Sequence, residues 1–303
     1  MNLAYIPSPG FSKFSIGPVT IHMYAICILT GIIFAVWILT VRWKKNGGTC
    51  DQVLDTTLVA VPCGLVGARL YHCITTPDIY FPPTGNLSNI LKVWEGGMAI
   101  FGGIGVGALA AFLWCRHRRY PFALLADCIA PALMVAQAIG RLGNWFNQEL
   151  YGMPTTLPWG LKLNDADAIG KSEICYNGQA CPTGTLFHPT FLYESVWNAV
   201  GFVLLHVLSK HRKYDGEIAL GYVAWYGLGR CLIEGLRMDS LYWGPFRVSQ
   251  VLAAVSCIAA TAVLLVQHFR PHDPAKLAVN RLAAAEKAKA EAAAAPEENP
   301  EQP

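Results

Sequence analysis

Charged residues are scarce in this chain. Asp, Glu, Lys and Arg together make up 14% of its 303 residues, whereas roughly 25% is typical of soluble domains. Hydrophobic residues make up 53%, and this balance indicates an integral membrane protein rather than a water-soluble domain. The net charge of +3 is small for the length, and no basic groove with interleaved aromatic residues is visible, so nucleic acid is not an expected partner.

Metal-binding patterns and internal repeats are also missing. No Cys and His residues have the spacing of zinc ligands, so we expect no protein-bound metal. No segment of about 20–50 residues recurs, which predicts a single membrane domain over residues 1–270. Residues 1–18 lack the basic flank and cleavage site of a signal peptide, so the first helix is expected to act as its own insertion signal.

Cysteine is present but shows no framework of bridges. Most of the ten cysteines lie in apolar runs, where cysteine usually packs as a small hydrophobic residue. Cys175 and Cys181 lie instead in a polar segment, and they form a candidate disulfide of purely structural role.

Long apolar runs dominate the sequence. A hydrophobic helix of about twenty residues crosses the hydrocarbon core of a bilayer, which is roughly 30 Å thick. Seven stretches meet this description: residues 18–41, 52–74, 97–115, 121–140, 188–209, 217–236 and 248–268. The predicted fold is therefore an all-α integral membrane protein with seven transmembrane helices.

Basic residues follow the odd-numbered stretches. Cytoplasmic loops are enriched in Lys and Arg, so these ends should face the cytoplasm. The clusters comprise Arg42, Lys44 and Lys45, then Arg116, Arg118 and Arg119, then Lys210, Arg212 and Lys213, and finally Arg270 and Lys276. This pattern predicts an N-terminus outside, an outer arm at residues 75–92, an outer polar segment at 141–187, and a disordered cytoplasmic tail at 271–303.

Arg141 follows about twenty mostly apolar residues and opens a polar run. A charged side chain within a spanning helix costs roughly 2.5–3.5 kcal/mol on insertion scales, so it suggests a functional site. Asn144 lies three residues later, on the same face of a continuing helix. A guanidinium and an amide match the oxygens of a phosphate. The alternative is an arginine that only extends to the membrane interface.

A second polar set lies in the sixth stretch. Tyr226, Arg230, Glu234 and Arg237 follow one another at steps of four, four and three residues, which places them along one helix face. One interpretation is that Arg230 and Glu234, one turn apart, neutralise each other in an ion pair of purely structural role. A second arginine at the outer end, beside Arg141, indicates instead a cavity that holds an anion.

Four further residues are candidates for the lining of that cavity. Gly96 and Gly97 lie near the outer edge, where a lipid headgroup would be. His188 precedes the fifth stretch, and it either satisfies a helix end or takes part in proton chemistry or headgroup contact. Tyr24 is either an interface anchor or part of the cavity.

These runs together resemble the phosphatidylglycerol:prolipoprotein diacylglyceryl transferase family of bacterial inner-membrane enzymes. The run GRLGNWFNQE at residues 140–149 is its most specific part, and the resemblance covers about residues 14–268. It implies seven spans, an active site toward the outer leaflet, and transfer of the diacylglyceryl group of phosphatidylglycerol to the lipobox cysteine of a preprolipoprotein. Glycerol phosphate is released. No cofactor is implied, because the lipid is already an activated donor.

The resemblance also implies roles for individual residues. Arg141 would bind the lipid phosphate, and Arg230 would act as a second phosphate or leaving-group cation. Glu234 and Tyr226 would orient Arg230. The residues that would shape the phosphatidylglycerol site are Asn144, Glu149, Gly152, Tyr24, Gly96, Gly97 and His188.

One position departs from the family pattern. Many members carry a histidine, a natural candidate for the general base, where this chain has Phe101. Either another group takes the proton, with Glu149, Glu234 and His188 as candidates, or the arginines alone lower the pKa of the thiol enough. We favour the arginines, with Glu234 next. A transporter or lipid-binding protein with the same arginines is the main alternative function, and another phospholipid-dependent enzyme is a third. The chain shows neither the paired repeats nor the broken helices typical of transporters.

Overall fold

The computed structural model describes residues 5–93, 96–164, 182, 184–238, 240 and 242–284. These residues are mostly helical. The helices are α1 (Met23–Lys45), α2 (Cys50–Thr75), α3 (Pro77–Tyr80), α4 (Ile100–Arg118), α5 (Phe122–Asn147), α6 (Thr190–Leu208), α7 (Glu217–Glu234) and α8 (Val248–His268). The predicted disulfide between Cys175 and Cys181 lies outside the described residues.

Six helices in the described part of the chain are long and apolar enough to cross a membrane. They are α1, α2, α4, α5, α8, and α6 with the short turn that follows it. The remaining predicted span, the sixth stretch at residues 217–236, also forms a helix, but the 18 residues of this α7 include Glu217, Arg230 and Glu234. The structure therefore confirms a mostly helical, multi-pass membrane protein, while the count of seven spans stays a prediction.

Helix ends follow local sequence signals. Thr49 caps α2, since its side chain accepts from the backbone N–H of Gln52 and the Gln52 side chain accepts from the backbone N–H of Thr49. Helix α1 ends in a basic last turn, and α4 ends where Arg119 adopts a left-handed conformation with φ of 58°.

The N-terminus of α7 is capped from another helix. Asp127 of α5 is fully buried, and its carboxylate accepts hydrogen bonds from the backbone N–H groups of Gly216, Ile218 and Ala219 at 2.8, 2.9 and 3.0 Å. A carboxylate at this position satisfies donors that a helix start leaves unpaired and complements the helix dipole. Asp127 thereby fixes the start of α7 against α5.

We expect Asp127→Ala to lower the stability of the protein by about 2 kcal/mol or more, because three backbone N–H groups lose their buried acceptor. Thermal unfolding in detergent measures this loss. Asp55→Ala is the matched control, since Asp55 makes only an exposed ion pair of 4.0 Å with Arg118 and should change stability by less than about 0.5 kcal/mol. Equal melting temperatures of the two variants would contradict the capping role.

Short strands accompany the helices, and the sequence analysis did not predict them. They are β1 (Ile6–Pro7), β2 (Lys13–Ile16), β3 (Val19–His22), β4 (Pro154–Thr155), β5 (Leu161–Lys162), β6 (Leu186–Phe187), β7 (Tyr242–Trp243) and β8 (Phe246–Arg247). β2 with β3 and β7 with β8 form antiparallel hairpins. The other four strands form one sheet in the order β1-β5-β6-β4, in which β1 is parallel to β5.

The described residues belong to two compact units. The first comprises Met1–Leu39 and Ala126–Leu277. Its four-stranded sheet covers a buried cluster that Leu161, Leu163, Phe187 and Phe191 form, and the ring of Trp145 stacks on Phe191 at 5.9 Å. This packing holds the segment after α5 against the start of α6.

The second unit comprises Thr40–Leu125 and Ala278–Pro303. Helices α2 and α4 approach closely at glycines: a Cβ added to Gly64 would lie 3.2 Å from the carbonyl oxygen of Gly103. Small residues permit such packing of membrane helices. Of the predicted tail, residues 274–276 form a 3-10 turn and residues 278–284 are helical, while 285–303 lie outside the described residues.

Candidate active site

The C-terminal turns of α5 carry the first part of the site. A terminal nitrogen of Arg141 lies 2.5 Å from a carboxylate oxygen of Glu194 on α6. The other terminal nitrogen of Arg141 lies 3.5 Å from the amide oxygen of Asn144. Asn144 in turn donates to the carboxylate of Glu149 at 3.0 Å, and Asn147 donates to the same oxygen at 3.2 Å. Arg141, Asn144 and Glu149 are thus brought together as predicted.

The C-terminal turns of α7 carry the second part. Arg230 forms ion pairs with Glu234 at 2.7 Å and with Glu194 at 3.3 Å. Arg237 lies 3.6 Å from Glu194 and 3.8 Å from Glu234. Ser240 donates to the second carboxylate oxygen of Glu234 at 2.9 Å. Arg230, Glu234 and Arg237 therefore belong to one network of ion pairs. The predicted helical stripe is wrong at Arg237, because α7 ends at Glu234 and Arg237 pairs with Gly152 in a β-bridge.

Glu194 is the centre of this network, and the sequence analysis missed it as a site residue. Its carboxylate forms ion pairs with Arg141, Arg230 and Arg237, which come from two other segments of the chain. The available signal was a carboxylate in the first two turns of an apolar helix, where an unpaired charge is costly. Its three partners lie far away in sequence, so no local pattern indicates them.

The three arginines of the network differ in how much of each side chain is exposed. Three guanidinium groups and two carboxylates give the network a formal charge of +1. The side chains of Arg141 and Arg230 are 22% and 18% exposed, whereas that of Arg237 is 7% exposed. Each guanidinium has five N–H donors. Arg141 and Arg230 are therefore the two cations that can also bind an anion, while Arg237 mainly balances the buried carboxylates.

Gly152 holds the backbone around Arg237. Gly152 pairs with Arg237 in an antiparallel β-bridge, and the backbone N–H of Gly152 donates to the carbonyl oxygen of His188 at 2.9 Å. A Cβ at this position would lie 2.8 Å from the carbonyl oxygen of Leu236 and 2.8 Å from the Cβ of His188. Glycine is thus needed for the close approach of three segments.

Tyr24 and Tyr226 lie beside the network. Tyr24 packs on α5 at Gly143, where an added Cβ would lie 2.6 Å from its ring. Tyr226 stacks on Tyr222 with ring centres 5.9 Å apart, and it lines a small cavity together with Arg230. Both tyrosines are therefore next to residues of the predicted site, and the contact of Tyr24 with α5 lies two residues from Arg141.

Two indole rings fix the register of α6 against α7. Trp197 and Trp225 stack at 4.4 Å, and the ring N–H of each donates to the backbone carbonyl oxygen of the other, at 3.0 and 3.1 Å. Gly201 and Gly229 each leave the space that one ring occupies. This reciprocal contact lies one turn from Glu194, so it helps to hold that carboxylate against Arg230.

His188 lies at the start of α6. Its ring nitrogen Nδ1 is 3.2 Å from the hydroxyl of Tyr193, which also accepts a hydrogen bond from Trp159 at 3.1 Å. Burial lowers the pKa of His188 below its usual value of about 6.5. The imidazole is therefore neutral at pH 7.

Gly96 and Gly97 belong to the second unit, where they surround Arg69. The guanidinium of Arg69 donates to their carbonyl oxygens at 2.5 and 2.8 Å and to that of Ile90 at 2.9 Å. The ring of Tyr80 lies 5.0 Å from the same group. The carbonyl groups of both glycines thus bind a buried arginine that ties the predicted outer arm to α2.

Comparison with known proteins identifies the family of this chain. A family model described as prolipoprotein diacylglyceryl transferase matches residues 12–266. The chain belongs to this family. The match spans both units and includes the described network around Glu194. It confirms the resemblance that the sequence motifs indicated.

Relatives named phosphatidylglycerol–prolipoprotein diacylglyceryl transferase are similar over most of their length. One from Bifidobacterium longum strain DJO10A is 74% identical over 245 residues, which is 79% of this chain and 78% of the relative. One from Bifidobacterium adolescentis is 62% identical over 243 residues, which is 79% of this chain and 72% of the relative. One from Streptomyces coelicolor is 44% identical over 276 residues, which is 86% of this chain and 82% of the relative.

In this member of the diacylglyceryl transferase family we expect Gly152→Ala to lower activity at least about tenfold, because the new methyl group displaces the backbone at Leu236 and Arg237. Transfer rate and thermal stability are measured together. Gly105→Ala is the matched control: Gly105 lies in α4 with open space around it, and alanine there should stabilise the helix by about 0.5–1 kcal/mol. Unchanged activity in Gly152→Ala would contradict the close packing.

Proposed function

We propose that this chain transfers the diacylglyceryl group of phosphatidylglycerol to the cysteine thiol in the lipobox of a preprolipoprotein, the first step of bacterial lipoprotein maturation. The observation that carries the proposal is the convergence of Arg141 and Arg230, from two different helices, on one carboxylate. Membership of the transferase family supports it. The names of the relatives supply the lipid and the protein substrate.

The reaction is a displacement at carbon. The thiolate sulfur forms a bond to the terminal glycerol carbon of the diacylglyceryl group, and the bond between that carbon and the phosphate oxygen breaks. The electron pair stays on the oxygen, so glycerol phosphate leaves with the added negative charge. The thiol proton is released to water. A thioether between cysteine and lipid remains.

The two accessible arginines act on the leaving group. Arg141 binds the phosphate, with Asn144 and Glu149 positioning it through their hydrogen bonds. Arg230 stabilises the oxygen that gains charge, and Glu234 orients Arg230. Preorganised donors aimed at a developing negative charge typically contribute about 10²–10³-fold to the rate. Because arginine stays protonated, both groups act as fixed positive charges and not as acids.

The remaining predicted residues shape the site. Gly152 holds the backbone of Arg237 in place, and Tyr24 and Tyr226 line the sides of the phosphate-binding region. His188, Gly96 and Gly97 are proposed to contact the lipid headgroup. No metal or cofactor takes part in the proposed step, because the phosphate ester already contains the leaving group.

The arginines are proposed to activate the thiol by their charge, without a histidine base. A free cysteine thiol has a pKa of about 8.5, so only a few per cent is thiolate at pH 7. Position 101, where many relatives have histidine, is Phe101 in α4. Glu234 is the next candidate, but two arginines already neutralise its carboxylate.

A pH profile distinguishes these mechanisms. Without a histidine base, we expect log kcat/KM to rise with pH with a slope of about one until the thiol pKa near 8.5. Because the pKa of His188 is lowered, a base at that position would be active at neutral pH and would be lost only as the pH falls below its usual value of about 6.5. A plateau of log kcat/KM from that acidic range up to the thiol pKa, replaced by a rise of slope one in His188→Gln, would contradict the proposal.

We further propose the membrane arrangement that the basic clusters predict. Residues 1–270 act as one catalytic domain of seven spans in the bacterial inner membrane, and residues 271–303 follow it on the cytoplasmic side. The prediction of disorder is wrong for residues 274–276 and 278–284, which form a 3-10 turn and a helix. The basic last turns of α1 and α4 face the cytoplasm. Since α5 begins directly after the cytoplasmic end of α4, its Arg141 end lies toward the outer leaflet. Glu194, near the start of α6, pairs with Arg141 and with Arg230, which lies near the end of α7.

Release of the headgroup tests the function against transport or simple lipid binding. Purified protein is reconstituted with headgroup-labelled phosphatidylglycerol and given a lipobox peptide. The proposal expects soluble labelled glycerol phosphate only when the peptide has its cysteine, and none with a Cys→Ser peptide. Label that stays in intact lipid while the lipid binds or changes leaflet would support the alternative.

A further inference from the structure

A small cavity lies between α6 and α7, next to the ion-pair network. Glu194 and Asn198 line it from α6, and Tyr226 and Arg230 line it from α7. It has room for little more than one water-sized group. Arg230 forms a wall of this cavity and is also proposed to bind the phosphate, so a group attached to a phosphate bound there would lie next to the cavity.

Asn198 brings a buried amide group to this cavity, and the amide oxygen lacks a hydrogen-bond partner among the described residues. The residue is 2% exposed. Buried polar side chains are nearly always hydrogen-bonded, since an unpaired one destabilises the fold. The amide therefore fits a ligand that supplies a hydrogen bond from outside the chain.

The surroundings select the chemistry of that ligand. A hydroxyl both donates and accepts, so it pairs with a carboxamide in either orientation of the amide. An ammonium group would enter beside Arg230 in a network of formal charge +1, which disfavours it. A methyl group would leave the amide unpaired. The cavity thus suits an uncharged alcohol.

We propose that the cavity receives a hydroxyl of the polyol headgroup of the lipid donor, and that Asn198 determines the preference for such headgroups. This inference rests on the proposed function, because the headgroup reaches the cavity only when its phosphate binds Arg230. Sites built to hydrogen-bond a substrate hydroxyl discriminate strongly against analogues that lack it, since the buried protein group then stays unpaired. Asn198 acts on the headgroup and not on the reacting carbon.

The test compares two lipids with the same acyl chains. One is phosphatidylglycerol, and the other carries a propyl headgroup without hydroxyls. We expect the wild-type protein to transfer from phosphatidylglycerol with a kcat/KM roughly 10- to 100-fold higher. In Asn198→Leu this ratio should fall below about threefold, mainly because transfer from phosphatidylglycerol slows while transfer from the propyl lipid changes little.

Ser195→Ala is the matched control on the same helix. Its hydroxyl donates to the carbonyl oxygen of Ala138 at 2.8 Å and does not line the cavity. The substitution removes a partly buried hydrogen bond, but the ratio between the two lipids should stay at the wild-type value. Asn198→Ser, which keeps a hydroxyl in place of the amide, should retain part of the preference and provides a second variant if leucine impairs folding.

Three results would overturn the inference: equal use of both lipids by the wild-type protein, a wild-type ratio in Asn198→Leu, or an equal fall with both lipids in that variant. The last result would mean that the cavity holds only water. Absence of any transfer from phosphatidylglycerol by the wild-type protein would instead overturn the proposed function, so the two failures are distinguishable.

Discussion

Glu194→Ala is expected to lower both activity and stability more than any other single carboxylate substitution in the described network. Removal of this carboxylate leaves Arg141, Arg230 and Arg237 close together without their shared partner. Loss of one partner from a buried ion pair typically costs about 3–5 kcal/mol. We expect transfer to fall at least about 10²-fold, because the two accessible arginines separate and no longer act on one phosphate.

Transfer rate and melting temperature in detergent measure these effects. Glu194→Asp should recover part of both, since it keeps the charge but shortens the reach. Glu217→Gln is a suitable control, because Glu217 lies at the other end of α7 and accepts a hydrogen bond from the backbone of Lys213. Activity and stability near wild type in Glu194→Ala would show that the carboxylate does not hold the network together.

Arg141→Ala is expected to abolish transfer while the protein still inserts and folds. The substitution removes the more exposed of the two accessible guanidinium groups, and with it the main contact to the lipid phosphate. Loss of one preorganised donor to a developing negative charge lowers the rate by about 10²–10³-fold. Arg141→Lys should restore only part of the activity, because a lysine keeps the charge but not the planar pair of donors.

The matched control for this arginine is Arg118→Ala. Arg118 lies at the end of α4 and is about half exposed, with a 4.0 Å ion pair to Asp55 and its guanidinium 5.6 Å from the centre of the Trp114 ring. Its removal should leave the transfer rate nearly unchanged. If Arg141→Ala is well folded and transfers at the rate of Arg118→Ala, Arg141 does not bind the phosphate.

Much of the fold follows from hydropathy and charge. Six of the seven predicted stretches form helices apolar enough to span a membrane. In a bilayer the backbone of an apolar segment must pair with itself, and a helix is the structure in which one segment can do so. The remaining stretch, residues 217–236, forms α7, and its residues Arg230 and Glu234 take part in the ion-pair network around Glu194. The two-residue strands were not predictable, since β1 pairs with a segment more than 150 residues away and no alternation of two residues defines a strand.

The candidate site was predictable to the extent that its residues share one helix. Arg230 and Glu234 are four residues apart, so helix geometry alone joins them. Arg141 and Asn144 are joined in the same way. The role of Glu194 depends on packing between helices, which a single sequence does not specify. Similarly, Gly152 gave no local sign that it lies against Leu236.

The mass of a lipobox peptide after incubation with the purified protein tests the central claim most directly. Phosphatidylglycerol is supplied in two separate preparations that differ in acyl chain length. Our account predicts that the peptide gains the mass of one diacylglyceryl group, that this gain follows the acyl chains supplied, and that a Cys→Ser peptide gains nothing. An unmodified cysteine peptide, in the presence of folded protein and bound lipid, would contradict it.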